Sequence, residues 1–229
     1  MIQVLSFCLW SVLTVGVYVI CKKIHNRWPY AWTMPLLLTP AVLIALVLAF
    51  DVKYSTVHSG TAWLVTLLGP TTVAFAAPIW RQRELIRRLW LILVIGVVVG
   101  SLTAMGSSFV LASLLGINGT LRLSLVPRSI STPFAMIMST DIGGNADLTS
   151  AFVVLTGILG VILGESLLNI LPLRTHMAKG MMLGVGAHGM GTAKAQEVGE
   201  TEGAIAGLVM VLTGVVNVLV APLVAMVLS

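Results

Sequence analysis

Charged residues are scarce in this sequence. Asp, Glu, Lys and Arg together make up 9% of 229 residues, whereas 58% are hydrophobic. A soluble domain carries roughly 25% charged residues, so this composition excludes a soluble fold. The apolar residues form long runs between short charged loops, which excludes the short alternating segments of a β-barrel. We therefore expect an all-α integral membrane protein, with one membrane domain over residues 1–229.

Several chemical signatures are also missing. The two cysteines, Cys8 and Cys21, lie in or beside the first apolar run and form no disulfide framework. Without a His, Cys or carboxylate cluster at ligand spacing we expect no metal, and without a nucleotide-binding fingerprint we expect no cofactor. The net charge of +5 lies in short loops, where it sets membrane topology, so no nucleic-acid partner is expected. No complete nucleophile–base set is visible. An enzyme is therefore not expected, although an intramembrane enzyme stays as a third class of function.

Long apolar runs are present along the whole chain. In one of them, Gly96 and Gly100 form a small-xxx-small pair, which predicts close helix packing. The runs define about seven or eight hydrophobic segments, near residues 4–20, 35–50, 63–80, 89–115, 125–144, 151–171, 180–195 and 204–228.

Three stretches contain too much glycine, proline or polar side chain for a plain lipid-facing helix. Irregular backbone at membrane depth survives only when it is buried in protein or lines a cavity. We therefore predict broken or re-entrant helices near 69–78, 125–144 and 180–195, with a simple kink as the alternative for the first. The residues expected to break the first two stretches are Gly69, Pro70, Pro127 and Pro133.

Basic loops predict the topology. Loops 22–27, 81–88 and 174–179 are expected in the cytoplasm. This places the N-terminus outside and the C-terminus in the cytoplasm. It also requires segment 125–144 to enter and leave on the outer side, and segment 180–197 to cross from inside to outside. The broken stretches near 69–78 and 180–195 are then placed as in inverted repeats, with halves 1–115 and 120–229.

Ionisable residues at membrane depth are candidates for function. The planar fork of Arg128 suits a carboxylate, although the side chain could also extend to the interface. His188 lies among glycines that would let a ligand approach, but it could be a satisfied core residue. Lys194 is either a counter-charge or an interface-seeking side chain, and Glu165 or Asp141 could form an ion pair or couple transport. The candidate substrate-binding residues are Arg128, Ser129, Ser131, Thr132, His188, Gly189, Gly191, Thr192 and Lys194.

Two stretches carry a resemblance to a known family. Residues 127–135, PRSISTPFA, resemble the P-K-S-V-T-T-P-I-A signature of the LrgB/CidB family of multi-pass membrane proteins. Residues 187–195, AHGMGTAKA, resemble that family's S-H-G-I-G-T-A-R-A signature. The resemblance covers essentially the whole chain. Departures occur at Arg128 and Lys194, which keep the charge of the family residue, and at Ala187.

The resemblance implies two kinds of function. The first is a carrier of small monocarboxylates of the pyruvate, glycolate or glycerate type in the cell membrane. The second is a holin- or antiholin-like modulator of murein hydrolase export and autolysis. Either would act with a small LrgA/CidA-type membrane partner, as a homo- or hetero-oligomer. Fixed cations, hydroxyls and flexible glycines favour the carrier, so the expected ligand is a small organic acid anion.

Overall fold

The chain is helical wherever the structure describes it. The computed structural model describes residues 2–28, 30, 33–67, 70, 73–74, 76–81 and 83–228, and these residues contain no β-strand. They group into two compact units, residues 1–71 and residues 72–229. The prediction of an all-α protein is therefore confirmed.

The first unit contains α1 (Ile2–Arg27), α2 (Pro35–Ala49) and α3 (Tyr54–Thr66). A polar contact joins α1 to α3. The hydroxyl of Ser11 donates to the carbonyl oxygen of Gly60 at 2.7 Å, and the indole N–H of Trp63 donates to Ser11 Oγ at 2.9 Å. These two hydrogen bonds fix the rotation of α1 and α3 about their own axes.

The segment predicted at 63–80 differs in the structure. Helix α3 begins at Tyr54, within the predicted loop, and it ends at Thr66, while α4 spans Ala76–Arg81. The stretch is thus broken, as predicted, because α3 ends at Thr66 and α4 is a separate helix. Pro70 is helical there, but Gly69 lies outside the described residues.

The second unit continues with long helices and short ones. They are α5 (Arg83–Leu114), α6 (Gly119–Leu125), α7 (Thr132–Asp141), α8 (Ala146–Ile170), α9 (His176–Val198) and α10 (Glu200–Leu228). By length and composition, α5, α8 and α10 can each cross a membrane, as can Phe7–Arg27 of α1 in the first unit.

Helix α9 lies at the centre of the second unit, and glycines of its neighbours allow this. A Cβ added to Gly100 of α5 would come within 2.6 Å of Val185 Cγ1. A Cβ on Gly164 of α8 would come within 2.8 Å of Leu183, and one on Gly184 of α9 would come within 2.8 Å of Ala206 Cα in α10. The predicted packing role of glycine in the fourth segment is thus confirmed, since α5, α8 and α10 approach α9 at these positions.

Candidate functional site

Segment 125–144 folds as a hairpin. We call it hairpin 1, comprising residues 126–131 and α7, and it follows directly on α6. Its ends lie side by side: Asn145 N donates to Ser124 Oγ at 2.8 Å, and Thr149 Oγ1 donates to the Ser124 carbonyl oxygen at 2.9 Å. A continuous helix of this length would separate its ends by about 30 Å. The re-entrant shape is confirmed, and its base lies at the N-terminal end of α8.

The two prolines of hairpin 1 act differently. Pro133 lies in the first turn of α7, where a missing N–H costs nothing. Pro127 follows Val126, the residue that caps the C-terminus of α6. Pro127 therefore interrupts the segment after the end of one helix, whereas Pro133 begins the next.

Helix α9 is broken at His188, which has φ 39° and ψ −119°. A Cβ on Gly191 would contact the carbonyl oxygen of Leu183 and would lie 2.9 Å from Ala187 Cβ. In a straight helix, residues eight positions apart are separated by about 12 Å. The arms 176–187 and 189–198 therefore fold back on each other and form a second hairpin, hairpin 2, with its tip at His188.

Helix α8 shows how hairpin 2 is oriented. Its Gly164 packs on Leu183 of the first arm and its Glu165 pairs with Lys194 of the second, while its Gly157 contacts the tip at His188. Both arms thus start near the C-terminal end of α8 and reach toward its middle. The prediction that 180–197 crosses the membrane is wrong, because the break at His188 reverses the chain direction.

The two hairpin tips meet on the middle of α8. Arg128 Nη1 of hairpin 1 donates to Thr156 Oγ1 at 3.3 Å. The next residue of α8, Gly157, lies against the ring of His188, since a Cβ there would come within 3.0 Å of His188 Cε1. Thr156 and Gly157 are adjacent in α8, so Arg128 and His188 contact the same turn of this helix. The structure therefore brings together the predicted Arg128 and His188 from opposite ends of α8.

The meeting point carries positive charge and unpaired polar atoms. Arg128 is half-buried, and within the described parts of the chain no carboxylate lies within 4.0 Å of it. His188 is only 4% exposed, and its Nε2 has no hydrogen-bond partner. Within hairpin 1, the hydroxyl of Ser131, just before α7, is also buried without a partner. A buried polar group without a partner costs roughly 1–3 kcal/mol, so a bound group that hydrogen-bonds to these atoms would remove that cost.

The other predicted substrate-binding residues do not all lie at the meeting point of the two tips. Thr192 Oγ1 donates to the His188 carbonyl oxygen at 2.9 Å, which ties the second arm to the tip. Gly191 permits the close approach of the two arms, whereas a Cβ on Gly189 would meet open space. Thr132 is half-buried in the first turn of α7, and Ser129 faces a separate small cavity beside α5 and α10.

Lys194 lies away from the tips. Its Nζ is 2.9 Å from Glu165 Oε1 and 3.2 Å from Glu197 Oε2, so it has the counter-charges that Arg128 lacks. Glu165 follows Gly157 by eight residues, which is about 12 Å along α8. Asp141 is exposed at the end of α7, and no ion pair of it occurs among the described residues. The pairing of Glu165 with Lys194 is one that the sequence left open.

Sequence reasoning missed the residues of α8 that hold the tips. Thr156 binds Arg128, and Gly157 and Gly160 give hairpin 2 room, since a Cβ on Gly160 would lie 2.8 Å from Ala187 Cβ. The spacing of Gly157, Gly160 and Gly164 places small residues on one face of a helix, and this pattern could have marked a packing surface.

Fold and site together define a class: a multi-pass membrane protein in which two broken helical hairpins meet beside a spanning helix. The sequence profile of the LrgB-like family matches residues 14–227, and the chain belongs to that family. No solved structure matches it.

Named relatives extend over nearly the same length. The chain is 39% identical over 210 residues to the uncharacterised protein YwbG of Bacillus subtilis, covering 92% of this chain and 93% of the relative. It is 30% identical over 211 residues to the holin-like protein CidB of Staphylococcus aureus, covering 92% of each. An uncharacterised protein of Haemophilus influenzae is 32% identical over 216 residues, or 94% of each chain.

Proposed function

We propose that the protein is a membrane carrier of small monocarboxylates, and that Arg128 binds the carboxylate group. The observation that carries this proposal is the meeting of the hairpin tips, where Arg128 has no described carboxylate within 4.0 Å and His188 Nε2 has no partner. A cation without a counter-charge at membrane depth is costly, and a bound anion would offset that cost. No bond is made or broken in this role, so the protein acts without being an enzyme.

The chemistry of the tips fits a two- or three-carbon acid. The guanidinium of Arg128 can donate two parallel hydrogen bonds to a carboxylate. His188 Nε2 and the unpaired hydroxyl of Ser131 are suited to the hydroxyl or keto oxygen of glycolate, glycerate or pyruvate. At Gly189 a Cβ would meet open space, so a small ligand could approach the backbone beside the histidine.

The second candidate function is modulation of murein hydrolase export and autolysis. It is supported by the name of the Staphylococcus aureus relative, holin-like protein CidB. Exposed apolar side chains along α5, such as Leu102 at 64% exposure, leave surface for a partner. We propose that a small LrgA/CidA-type membrane protein or a second copy of this chain binds there in either case.

The hairpins also revise the proposed orientation in the cell membrane. With loop 174–179 in the cytoplasm, hairpin 2 returns to that side, and α10 then carries the C-terminus outward. The proposed C-terminus therefore lies outside, in place of the cytoplasmic C-terminus that the basic loops predicted. The N-terminus stays outside. Single cysteines at Gly119 and Asn145 should label from the outer face, and one at Gln196 from the cytoplasmic face. Labelling of Gly119 and Asn145 from opposite faces would contradict the orientation of hairpin 1.

The carrier proposal is tested by uptake of labelled pyruvate and glycolate into proteoliposomes that contain the purified chain. Arg128→Ala and His188→Ala should abolish uptake, while Arg128→Lys keeps the charge and should keep part of it. Arg122→Ala is the matched control, because this half-buried arginine of α6 binds Ser113 and stacks on Phe109 instead.

Two outcomes would overturn the carrier proposal. One is uptake at the wild-type rate by both Arg128→Ala and His188→Ala. The other is an absence of uptake of every small acid by the wild-type chain, together with altered lysis of cells that express it. The second outcome would support modulation of autolysis.

A further inference from the structure

Thr156 is the residue of α8 that binds Arg128 at the meeting point of the two hairpin tips. Arg128 Nη1 donates to Thr156 Oγ1 at 3.3 Å, so the threonine oxygen is an acceptor in this contact. A threonine hydroxyl also has one proton to donate. Among the described residues no group accepts that proton, since the Thr156 side chain makes no hydrogen bond there besides the one from Arg128.

The other hydroxyls of α8 do not have a free proton. Thr149, Ser150 and Ser166 each donate to a backbone carbonyl oxygen, at distances of 2.8–3.0 Å. Donation to a carbonyl of the preceding turn is the usual fate of such a side chain in a helix. Thr156 is half-buried and departs from this pattern at the position where Arg128 binds, so its proton is available to a ligand.

Thr156 also lies between the two groups that we propose to bind the substrate. Its side chain contacts Arg128, and the next residue, Gly157, lies against the ring of His188. A ligand that extends from the guanidinium of Arg128 toward the imidazole of His188 therefore passes Thr156.

The free proton of Thr156 suits the oxygen on C2 of a small acid. A guanidinium has five N–H groups, of which the contact with Thr156 uses one, and two others can bind the two oxygens of a carboxylate. The next oxygen along a 2-oxo or 2-hydroxy acid is the one on C2. A keto oxygen can only accept a hydrogen bond, so it needs a donor such as this hydroxyl.

We propose that Thr156 donates its hydroxyl proton to the C2 oxygen of the substrate and thereby selects 2-oxo and 2-hydroxy acids. This inference rests on the proposed carrier function and adds a specificity-determining residue to it. Propionate and acetate have the carboxylate that Arg128 binds, but they have no oxygen on C2 to accept the proton of Thr156. The protein should therefore prefer pyruvate to propionate and glycolate to acetate.

The test measures uptake of labelled pyruvate into proteoliposomes that contain the purified full chain, with each of the four acids as an unlabelled competitor. Thr156→Val removes the hydroxyl and keeps the shape of the side chain. The concentration of pyruvate or glycolate that halves uptake should rise about five- to tenfold in this variant, because one neutral hydrogen bond is lost. The concentrations of propionate and acetate that halve uptake should not change.

Two further variants complete the test. Thr156→Ser keeps a hydroxyl and should keep the wild-type concentrations for all four acids. Thr140→Val is the matched control, because the hydroxyl of this exposed residue donates to the Met136 carbonyl oxygen of its own helix. It should also leave all four concentrations unchanged.

The ratio between two acids on one preparation does not depend on how much of a variant folds. If Thr156 only positions Arg128, Thr156→Val will weaken competition by pyruvate and by propionate equally. That result, or an unchanged pyruvate concentration in Thr156→Val, would overturn the role of Thr156 and leave the carrier proposal standing. An absence of uptake of labelled pyruvate and labelled glycolate by the wild-type chain would overturn both.

Discussion

Replacing His188 by glycine and by alanine separates the strain of the backbone from the role of the imidazole. His188 has φ 39° and ψ −119°, close to the first central position of a type II′ turn, which glycine usually occupies. A residue with a Cβ pays roughly 1–2 kcal/mol at such a positive φ. The structure therefore predicts that the side chain of His188 strains the tip of hairpin 2.

The two variants both lack the ring, so they differ only by a Cβ. Glycine removes the strain but loses up to about 1 kcal/mol through the greater entropy of the unfolded chain. The free energy of unfolding of His188→Gly should therefore exceed that of His188→Ala by about 1 kcal/mol. Gly186 is the matched control, since it is helical and a Cβ there meets open space. Gly186→Ala should gain up to about 1 kcal/mol, so the preference between glycine and alanine reverses.

Thermal unfolding in one detergent–lipid mixture ranks these variants, and about 1 kcal/mol corresponds to about 2–4 °C for a chain of this size. Uptake measured on the same preparations should be lost in both His188 variants, including the more stable one. If His188→Ala unfolds at the same temperature as His188→Gly or above it, the strained turn at this residue is refuted.

Two further predictions concern how hairpin 2 is held against α8. Gly160→Ala should lower the unfolding temperature by up to about 8 °C, because overpacking against rigid atoms of the tip costs about 1–3 kcal/mol, offset by about 1 kcal/mol of helix propensity. Gly106→Ala, where a Cβ meets open space, should raise the unfolding temperature, and equal behaviour of the two variants would contradict the packing. Lys194→Ala should lower the free energy of unfolding by at most about 1 kcal/mol, because the paired carboxylates are half exposed. The double exchange of Lys194→Glu with Glu165→Lys should recover part of that loss. No recovery would contradict a direct ion pair between the two side chains.

Much of the fold follows from local composition. Long apolar runs identify α5, α8 and α10, and prolines and glycines mark where the chain breaks. The shape of hairpin 1 could be predicted because counting charged loops left no room for a crossing at 125–144. The same counting was wrong for 180–197, because whether a glycine-rich segment bends or reverses depends on the contact of Gly191 with Leu183, a tertiary contact that composition does not encode.

The candidate site was predictable in part for a similar reason. Arg128 and His188 are conspicuous as ionisable residues among prolines and glycines, so the sequence shows them without showing that they meet. Lys194 is equally conspicuous, yet it pairs with Glu165 about 12 Å away along α8. Thr156 is an ordinary polar residue in an apolar helix, and only the packing shows that it binds Arg128.

The central claim is that a small acid binds where the two hairpin tips meet. It is tested most directly with a single cysteine, Gly189→Cys, on a background that lacks Cys8 and Cys21. Position 189 is next to His188 and a side chain there meets open space, so the thiol should react with a small reagent. Pyruvate or glycolate should slow that reaction, and the protection should vanish when Arg128→Ala is added on the other hairpin. Labelling that no small acid slows, or protection that persists without Arg128, would contradict a shared site.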